Sequence, residues 1–507
     1  MSTAIALLKG SVTRVSQTFV SIVVAFFMMP FLIHELGDYW YGIWTVVGSL
    51  AAAYHLFDMG MASAVTRYVS RSFGLKDDHQ ANVTINTALA IYSVIALVIV
   101  FVSIGASFAA RAFVDEAASK DVMQVLVLII GVSVALEFPF NALAGVASAK
   151  LRFHQVALTR ICTTLIGAAF TWWFIAEGYG VVALAVITFC TARISNLLYF
   201  LICRGAFPAL RFSRHLVSRE NGKELFQYSA WSFVIAIAYQ MRNNVDNFVV
   251  AGFLSAASVT PYAVGLRLVD YLAQFLSQAT NMFVPIFTGY HAREDKTELY
   301  AKLQFITRLN LVLALIASGG LIIFGEAFID RWMGPNYSEA YWVMVILLVG
   351  RMIGFANHPL NAAMYAANKH HIVAKIDVIE VTLNLGLSLV LVQYLGLIGV
   401  ALGTMIPLLM LRLFVLPYFA CRAIEMPVRD YYQCMLRPLI FICIPIAGTH
   451  YLITTRNIQI ESYADILLNA SVMALVAGAS GLKFGFSTSE KHELRKIVPG
   501  RYLKALL

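Results

Sequence analysis

The chain has 507 residues, of which 60% are hydrophobic and 13% charged, about half the charged share of soluble domains. Mean hydropathy is +0.75. Soluble enzymes, disulfide scaffolds, disordered chains and nucleic-acid binders fit this balance poorly. A polytopic helical membrane protein remains, in which the net charge of +9 reads as a topological signal, because cytoplasmic loops collect Lys and Arg.

A span needs about 20 mostly apolar residues. In chain order the sequence predicts fourteen, near 11–33, 40–65, 82–108, 122–147, 156–176, 180–203, 227–252, 259–287, 307–328, 340–365, 373–393, 396–420, 434–453 and 463–484. Connections are short. The longest hydrophilic pieces are 204–226, 288–306 and the tail from 485, so no loop has room for a folded extramembrane domain. The opening residues lack a charged region ahead of a short apolar core, so no signal peptide is expected and the first span directs insertion. With the N-terminus inside and the loops alternating, the inner side receives 28 of the 37 Lys and Arg, the outer side 4 and the spans 5. A missed span would scramble that alternation, so the asymmetry supports both the span count and cytoplasmic termini.

The six cysteines (Cys162, Cys190, Cys203, Cys421, Cys434, Cys443) form no CxxC pair and fall within or on the inner side of the spans. Disulfides and zinc are therefore not expected. His370-His371 beside Lys369 reads as a solvated loop edge. No metal and no cofactor is expected, and neither is an enzyme: no GxSxG, HExxH, P-loop or dinucleotide fingerprint occurs.

Two stretches echo each other. Gly180-Val-Val-Ala183-Leu-Ala185 opens span 6, and Gly396-Leu-Ile-Gly399-Val-Ala401 opens span 12, 216 residues later. Tyr41-Gly42 and Tyr262-Ala263 stand at a similar offset. Small residues shared by chance would give the same echo. A true repeat is six spans long, an even number, so both halves run in the same direction about an axis along the membrane normal, with a cavity between them. The fold expected is an all-α integral membrane protein of about 14 transmembrane helices. It has two six-helix bundles related by pseudo-two-fold symmetry around a central cavity, plus two C-terminal helices. The divisions are 1–210, 211–425 and 426–507, the last holding spans 13 and 14 and a basic cytoplasmic tail.

Charges at membrane depth are costly and face a cavity or a partner. Span 7 holds the densest group, Arg242-Asn243-Asn244-Val245-Asp246-Asn247. Arg242 and Asp246 share a helix face, either neutralising each other or, with the asparagines, lining a cavity. Arg267 and Asp270 share a face of span 8. Arg351 in span 10 has no acid within four residues, and is assigned to the cavity or to a bridge with Asp377 or Glu380 of span 11. Asp58, Asp377 and Glu380 are candidate proton or cation sites. Span 4 adds Glu137, while Arg193 and Arg412 are expected to snorkel to the inner surface.

Several of these residues resemble a known family. Phe31-Leu-Ile-His-Glu-Leu-Gly37-Asp-Tyr-Trp-Tyr41-Gly42-Ile-Trp44, Asp58-Met59-Gly60, Thr66-Arg67, Asn244-Val-Asp246-Asn-Phe-Val-Val-Ala-Gly252, Pro261-Tyr262-Ala263, Pro285 and the small residues after Gly396 are similar, in order and spacing, to the polysaccharide flippases of the multidrug/oligosaccharidyl-lipid/polysaccharide exporter superfamily. The resemblance implies a transporter in the bacterial inner membrane that flips undecaprenyl-diphosphate-linked oligosaccharide to the periplasmic leaflet for O-antigen or exopolysaccharide synthesis, by alternating access. It implies membrane lipids, a polysaccharide polymerase and chain-length machinery as partners, and no nucleic acid. It also implies that Arg242, Arg267 and Arg351 meet the diphosphate and sugar charges. A drug/cation antiporter of the same superfamily and a membrane glycosyltransferase or polymerase are the alternatives. The three arginines count against the first and the lack of a long outer loop against the second.

Overall fold

The computed structural model describes residues 3–111, 114, 117–281, 296–367, 369–456, 458 and 460–497. Pro285 and the end of the expected span 8 lie outside the described residues. By contacts the chain divides into two compact units, Met1–Thr260 and Pro261–Leu507, and the described residues of both contain helices and no strand.

The first unit begins with α1 (Thr3–Tyr54), which passes through a 3-10 turn (His55–Asp58) into α2 (Met61–Gly74). Then come α3 (Asp78–Ala110), α4 (Ala117–Ala149), α5 (Phe153–Ala176), α6 (Gly180–Ala206), α7 (Arg219–Phe253) and the start of α8 (Ala256–Asn281). Capping side chains fix where several begin. Asp77 accepts from Gln80 N at 2.8 Å ahead of α3, and Ser218 accepts from Asn221 N at 3.3 Å ahead of α7, each satisfying an amide that a helix start leaves open. The hydrophilic piece after α6 is tied down rather than loose. Asn82 of α3 receives Arg211 N at 2.8 Å, and Asn86 receives Ser213 N at 2.9 Å. Helix α7 packs against α1, α2 and α3, which places it in the first compact unit.

The second unit contains the rest of α8, then α9 (Lys296–Trp332), α10 (Ser338–Ala356), α11 (His358–Ala366) and α12 (His370–Met410). A π-turn (Leu411–Val415) leads into α13 (Leu416–Ala423), α14 (Val428–Thr455), α15 (Tyr463–Ser480), a second π-turn (Gly481–Gly485) and α16 (Thr488–Ile497). Leu303, Leu360, Leu416 and Tyr431, from α9, α11, α13 and α14, are fully buried in one apolar cluster. Helices α14 and α15, the expected spans 13 and 14, pack against α9.

Ten helices among the described residues are long and apolar enough to cross a membrane. Helices α1 and α12, at 52 and 41 residues, would reach about 78 and 62 Å if straight at 1.5 Å per residue, two or more times the ~30 Å hydrocarbon thickness. Each is broken once, α1 at Gly37 (φ 77°) and α12 at Gly396 (φ 56°), where the expected spans 1 and 2, and 11 and 12, meet. The repeat positions Gly180 and Gly396 both take positive φ, 70° and 56°, which a residue with a Cβ resists. Outward faces carry large apolar side chains such as Phe101, Trp173 and Leu475, as a multi-pass membrane protein requires.

Among the described residues, two expected spans are not continuous helices. Span 2 is interrupted where the 3-10 turn ends and Met59 and Gly60 take left-handed backbone, φ 51° and 76°. Span 10 is interrupted at Asn357, just before Pro359, whose ring supplies no amide to the helical ladder. Hydropathy averaged over a span passes across both breaks, although Asp58-Met59-Gly60 and Asn357-His358-Pro359 contain polar and turn-forming residues.

Candidate functional site

The second unit gathers most of the expected charges into pairs. Arg351 of α10 reaches Asp270 of α8 at 2.7 Å, with side-chain exposures of 12% and 28%. The partner that Arg351 lacks along its own helix is thus Asp270, not Asp377 or Glu380. Arg267, three residues before Asp270, is exposed.

Asp377 and Glu380, on α12, instead hold Arg412. Its Nε donates to Glu380 at 2.8 Å, its Nη2 bonds Asp377, and the arginine is 5% exposed. The snorkelling expected of Arg412 is therefore wrong. The π-turn at 411–415 keeps its side chain inside the unit, and two carboxylates neutralise it there. Asn357 donates to the Arg412 carbonyl and accepts from the Tyr431 hydroxyl, so the break in span 10 is stitched to this group. On the cytoplasmic side of the expected topology, Arg308 of α9 bonds Glu490 of α16 and donates to Cys434 O at 3.0 Å.

The first unit holds Asp58 and the span 7 group. Asp58 accepts from the Tyr92 hydroxyl at 2.6 Å, beside the break in span 2. Tyr92 is completely buried. Neither its distance in sequence nor its apolar surroundings marks it as a partner of Asp58. On α7, Asp246 and Asn247 are buried while Arg242 and Asn243 are partly buried. Asn247 donates to Ser49 Oγ of α1 at 2.9 Å. Arg193 is not a snorkelling residue either. It donates to Ser133 O at 2.7 Å, its guanidinium lies 5.2 Å from the centre of the Phe189 ring, and it stands within electrostatic reach of Glu137.

A cavity of about 510 Å³ lies wholly inside the first unit, among α1, α4, α5 and α6. Helix α5 presents Arg160, Thr163, Thr164 and Thr171 to it, and α6 presents Thr188, Thr191, Ser195 and Tyr199. Helix α4 adds Glu137, and α1 adds Gln17, Ser21 and Trp44. Arg160 Nε donates to Tyr199 Oη at 3.2 Å, joining α5 to α6 at one end. The residues singled out in sequence as site candidates are absent from this wall; of the charges noted beside them, it holds Glu137 alone. The signal that would have found it is hydroxyl spacing: Thr164 and Thr171, seven residues apart on one helix, and Thr188, Thr191 and Ser195 on the next, each set sharing a face.

Fold and cavity together define a polytopic helical membrane protein with a polar site among its spans. The chain belongs to the polysaccharide biosynthesis protein family, whose profile matches residues 38–342, and the resemblance read from the residues to polysaccharide flippases of the exporter superfamily holds. It is 25% identical over 421 residues, 79% of this chain and 80% of the relative, to "Uncharacterized membrane protein EpsK" of Bacillus subtilis strain 168. It is 22% identical over 187 residues, 37% of this chain and 40% of the relative, to a probable low-salt glycan biosynthesis flippase, Agl15, of Haloferax volcanii. Among solved structures, the lipid II flippase MurJ in an inward closed conformation matches with a TM-score of 0.68, 14% identity and coverage of 94% of this chain and 98% of that one. An inward-facing multidrug resistance MATE family transporter of the MOP superfamily matches with a TM-score of 0.66, 13% identity and coverage of 82% and 98%. These two likenesses are likenesses of fold.

Proposed function

We propose that the protein flips oligosaccharide units carried on undecaprenyl diphosphate from the cytoplasmic to the periplasmic leaflet of a bacterial inner membrane, by alternating access, for surface polysaccharide synthesis. Membership of the polysaccharide biosynthesis family, across residues 38–342 of a multi-pass chain, carries this reading. The physics is consistent with it. Sugars and a diphosphate cannot enter hydrocarbon without replacement of their water hydrogen bonds, and a protein that moves them must hold polar groups at membrane depth. Arg242, exposed Arg267 and Arg351 are the cations we assign to the cargo's phosphates, by charge-assisted hydrogen bonds. Asp58, beside the break in span 2, is our choice for a protonation site. The halves 1–210 and 211–425 are the proposed transport repeat, with 426–507 appended.

Depletion of the protein in its host tests the function. Surface polysaccharide should fall while lipid-linked oligosaccharide accumulates on the cytoplasmic leaflet, and normal export after complete depletion rejects it. Orientation is tested separately. In a cysteine-free background, Val217→Cys and Thr297→Cys should react with an impermeant thiol reagent only after permeabilisation, and labelling from outside reverses the proposed topology.

A further inference from the structure

The cavity of the first unit has an order to its lining. From Arg160 to Thr171 along α5 is eleven residues, about 16 Å at 1.5 Å per residue, or half the ~30 Å thickness of hydrocarbon. Over that length α5 presents hydroxyls near its two ends, with Gly167 and Ala168 between them, and α6 presents hydroxyls at successive turns from Thr188 to Tyr199. Charge is confined to Arg160 at one end and to Glu137 on α4. Trp44 of α1 supplies an aromatic wall.

This chemistry fits one class of ligand. A phosphate needs clustered cations, and the wall has one arginine. A hydrophobic drug or acyl chain matches the aliphatic part of the lining, Val24, Met28, Leu32, Leu184 and Ile187, but leaves the hydroxyls set among them without partners. Sugar rings present hydroxyls on their edges and C–H surfaces on their faces. Threonine and serine hydroxyls both donate and accept, so they exchange hydrogen bonds with sugar hydroxyls without fixing one stereochemistry, and an indole ring takes the apolar face. The volume, about 510 Å³, falls within the ~300–1,000 Å³ of small-molecule sites. We propose that this cavity is a glycan subsite, which holds sugar residues of the cargo within the first unit, apart from the arginines assigned to its phosphates. The inference rests on the transport reading and adds to it where the sugars go. Weak, repeated hydrogen bonds suit a carried ligand, since a site that binds too tightly retains its cargo.

The test pairs a removal with a conservative control. Thr164→Val with Thr171→Val deletes two hydroxyls at nearly constant volume, and Thr164→Ser with Thr171→Ser keeps them. In a strain lacking the chromosomal copy, the valine pair should lower surface polysaccharide severalfold at equal protein abundance, and the serine pair should retain most of it. Purified full-length protein in lipid nanodiscs is titrated with oligosaccharides released by acid hydrolysis of the host's surface polysaccharide. The valine pair should bind them roughly tenfold more weakly than the wild type, the loss expected for about two hydrogen bonds. Normal export by the deletion strain defeats the transport reading itself. Export lost on deletion but intact in the valine pair, with unchanged binding, defeats the subsite alone. If the valine pair fails to accumulate, the wild-type titration decides: a fluorescence change that Trp44→Phe abolishes supports the subsite, and its absence overturns it.

Discussion

In the second unit, Arg351 meets Asp270 at 2.7 Å and Arg412 meets Glu380 at 2.8 Å and Asp377. In the first, Glu137, Arg160 and the hydroxyls of α5 and α6 border about 510 Å³ of open space. Both arrangements place polar groups among apolar helices, but that of the second unit is built on ion pairs and that of the first on a cavity lined mostly by uncharged side chains. The Arg412 group, buried and complete, resists solvent and ligand alike, because each partner already has the counter-charge that a guest would bring. A hydroxyl-lined wall keeps lone pairs available at modest desolvation cost, even where Thr163 and Thr191 donate their protons to carbonyls of their own helices. Charge at membrane depth therefore marks the fastening points of this protein at least as often as its binding surface.

The largest effect should come from breaking the most buried group. Arg412→Met leaves Asp377 and Glu380 without their shared cation and should cost about 3–5 kcal/mol, read as loss of folded protein and a lower unfolding temperature in detergent. Adding Asp377→Asn and Glu380→Gln should recover most of that loss. A single variant as stable as wild type would mean that the triad does not fasten the second unit. Tyr92→Phe comes next. It removes a 2.6 Å hydrogen bond to Asp58 and should cost roughly 1.5–3 kcal/mol if Asp58 is ionised. The same change made with Asp58→Asn should cost clearly less, and equal costs in both backgrounds would show that Asp58 carries no charge.

Packing in the first unit offers a smaller handle. A Cβ on Gly42 would stand 1.8 Å from the Ala256 carbonyl oxygen, while one on Gly48 meets nothing within 4 Å. Gly42→Ala should therefore destabilise by about 1–3 kcal/mol, whereas Gly48→Ala should be neutral or slightly stabilising. Similar unfolding temperatures for the two would deny the close approach of α1 to the start of α8. The smallest effect is expected at Arg351 and Asp270, which keep some exposure. A double-mutant cycle with alanine should give about 0.5–1 kcal/mol of coupling. The same variants separate anchoring from transport. If Arg351 also serves the cargo, Arg351→Ala should lower export even in the Asp270→Ala background, and full export there removes it from the proposed phosphate contacts.

Composition and the sided distribution of Lys and Arg determined the class and set the expected topology, because hydrocarbon selects apolar runs and the insertion machinery reads short charged loops. Near-neighbour spacing placed Asp377 with Glu380 and Arg242 with Asp246 on shared helix faces, since a helix has a fixed period. The glycines at 180 and 396 were legible as starts of paired spans. What spacing cannot express is a meeting between helices. Arg351 and Asp270 are 81 residues apart, and Arg412 and Asp377 are 35 apart. In sequence each arginine looks either lone or close enough to the surface to reach water. The breaks at Met59-Gly60 and Asn357 adjoin the polar residues Asp58 and His358, but hydropathy averaged over a span is blind to backbone angle. The cavity was furthest from view. It is a space left where α1, α4, α5 and α6 fail to fill the volume between them, and a void is a property of packed surfaces, fixed only when the helices take their positions.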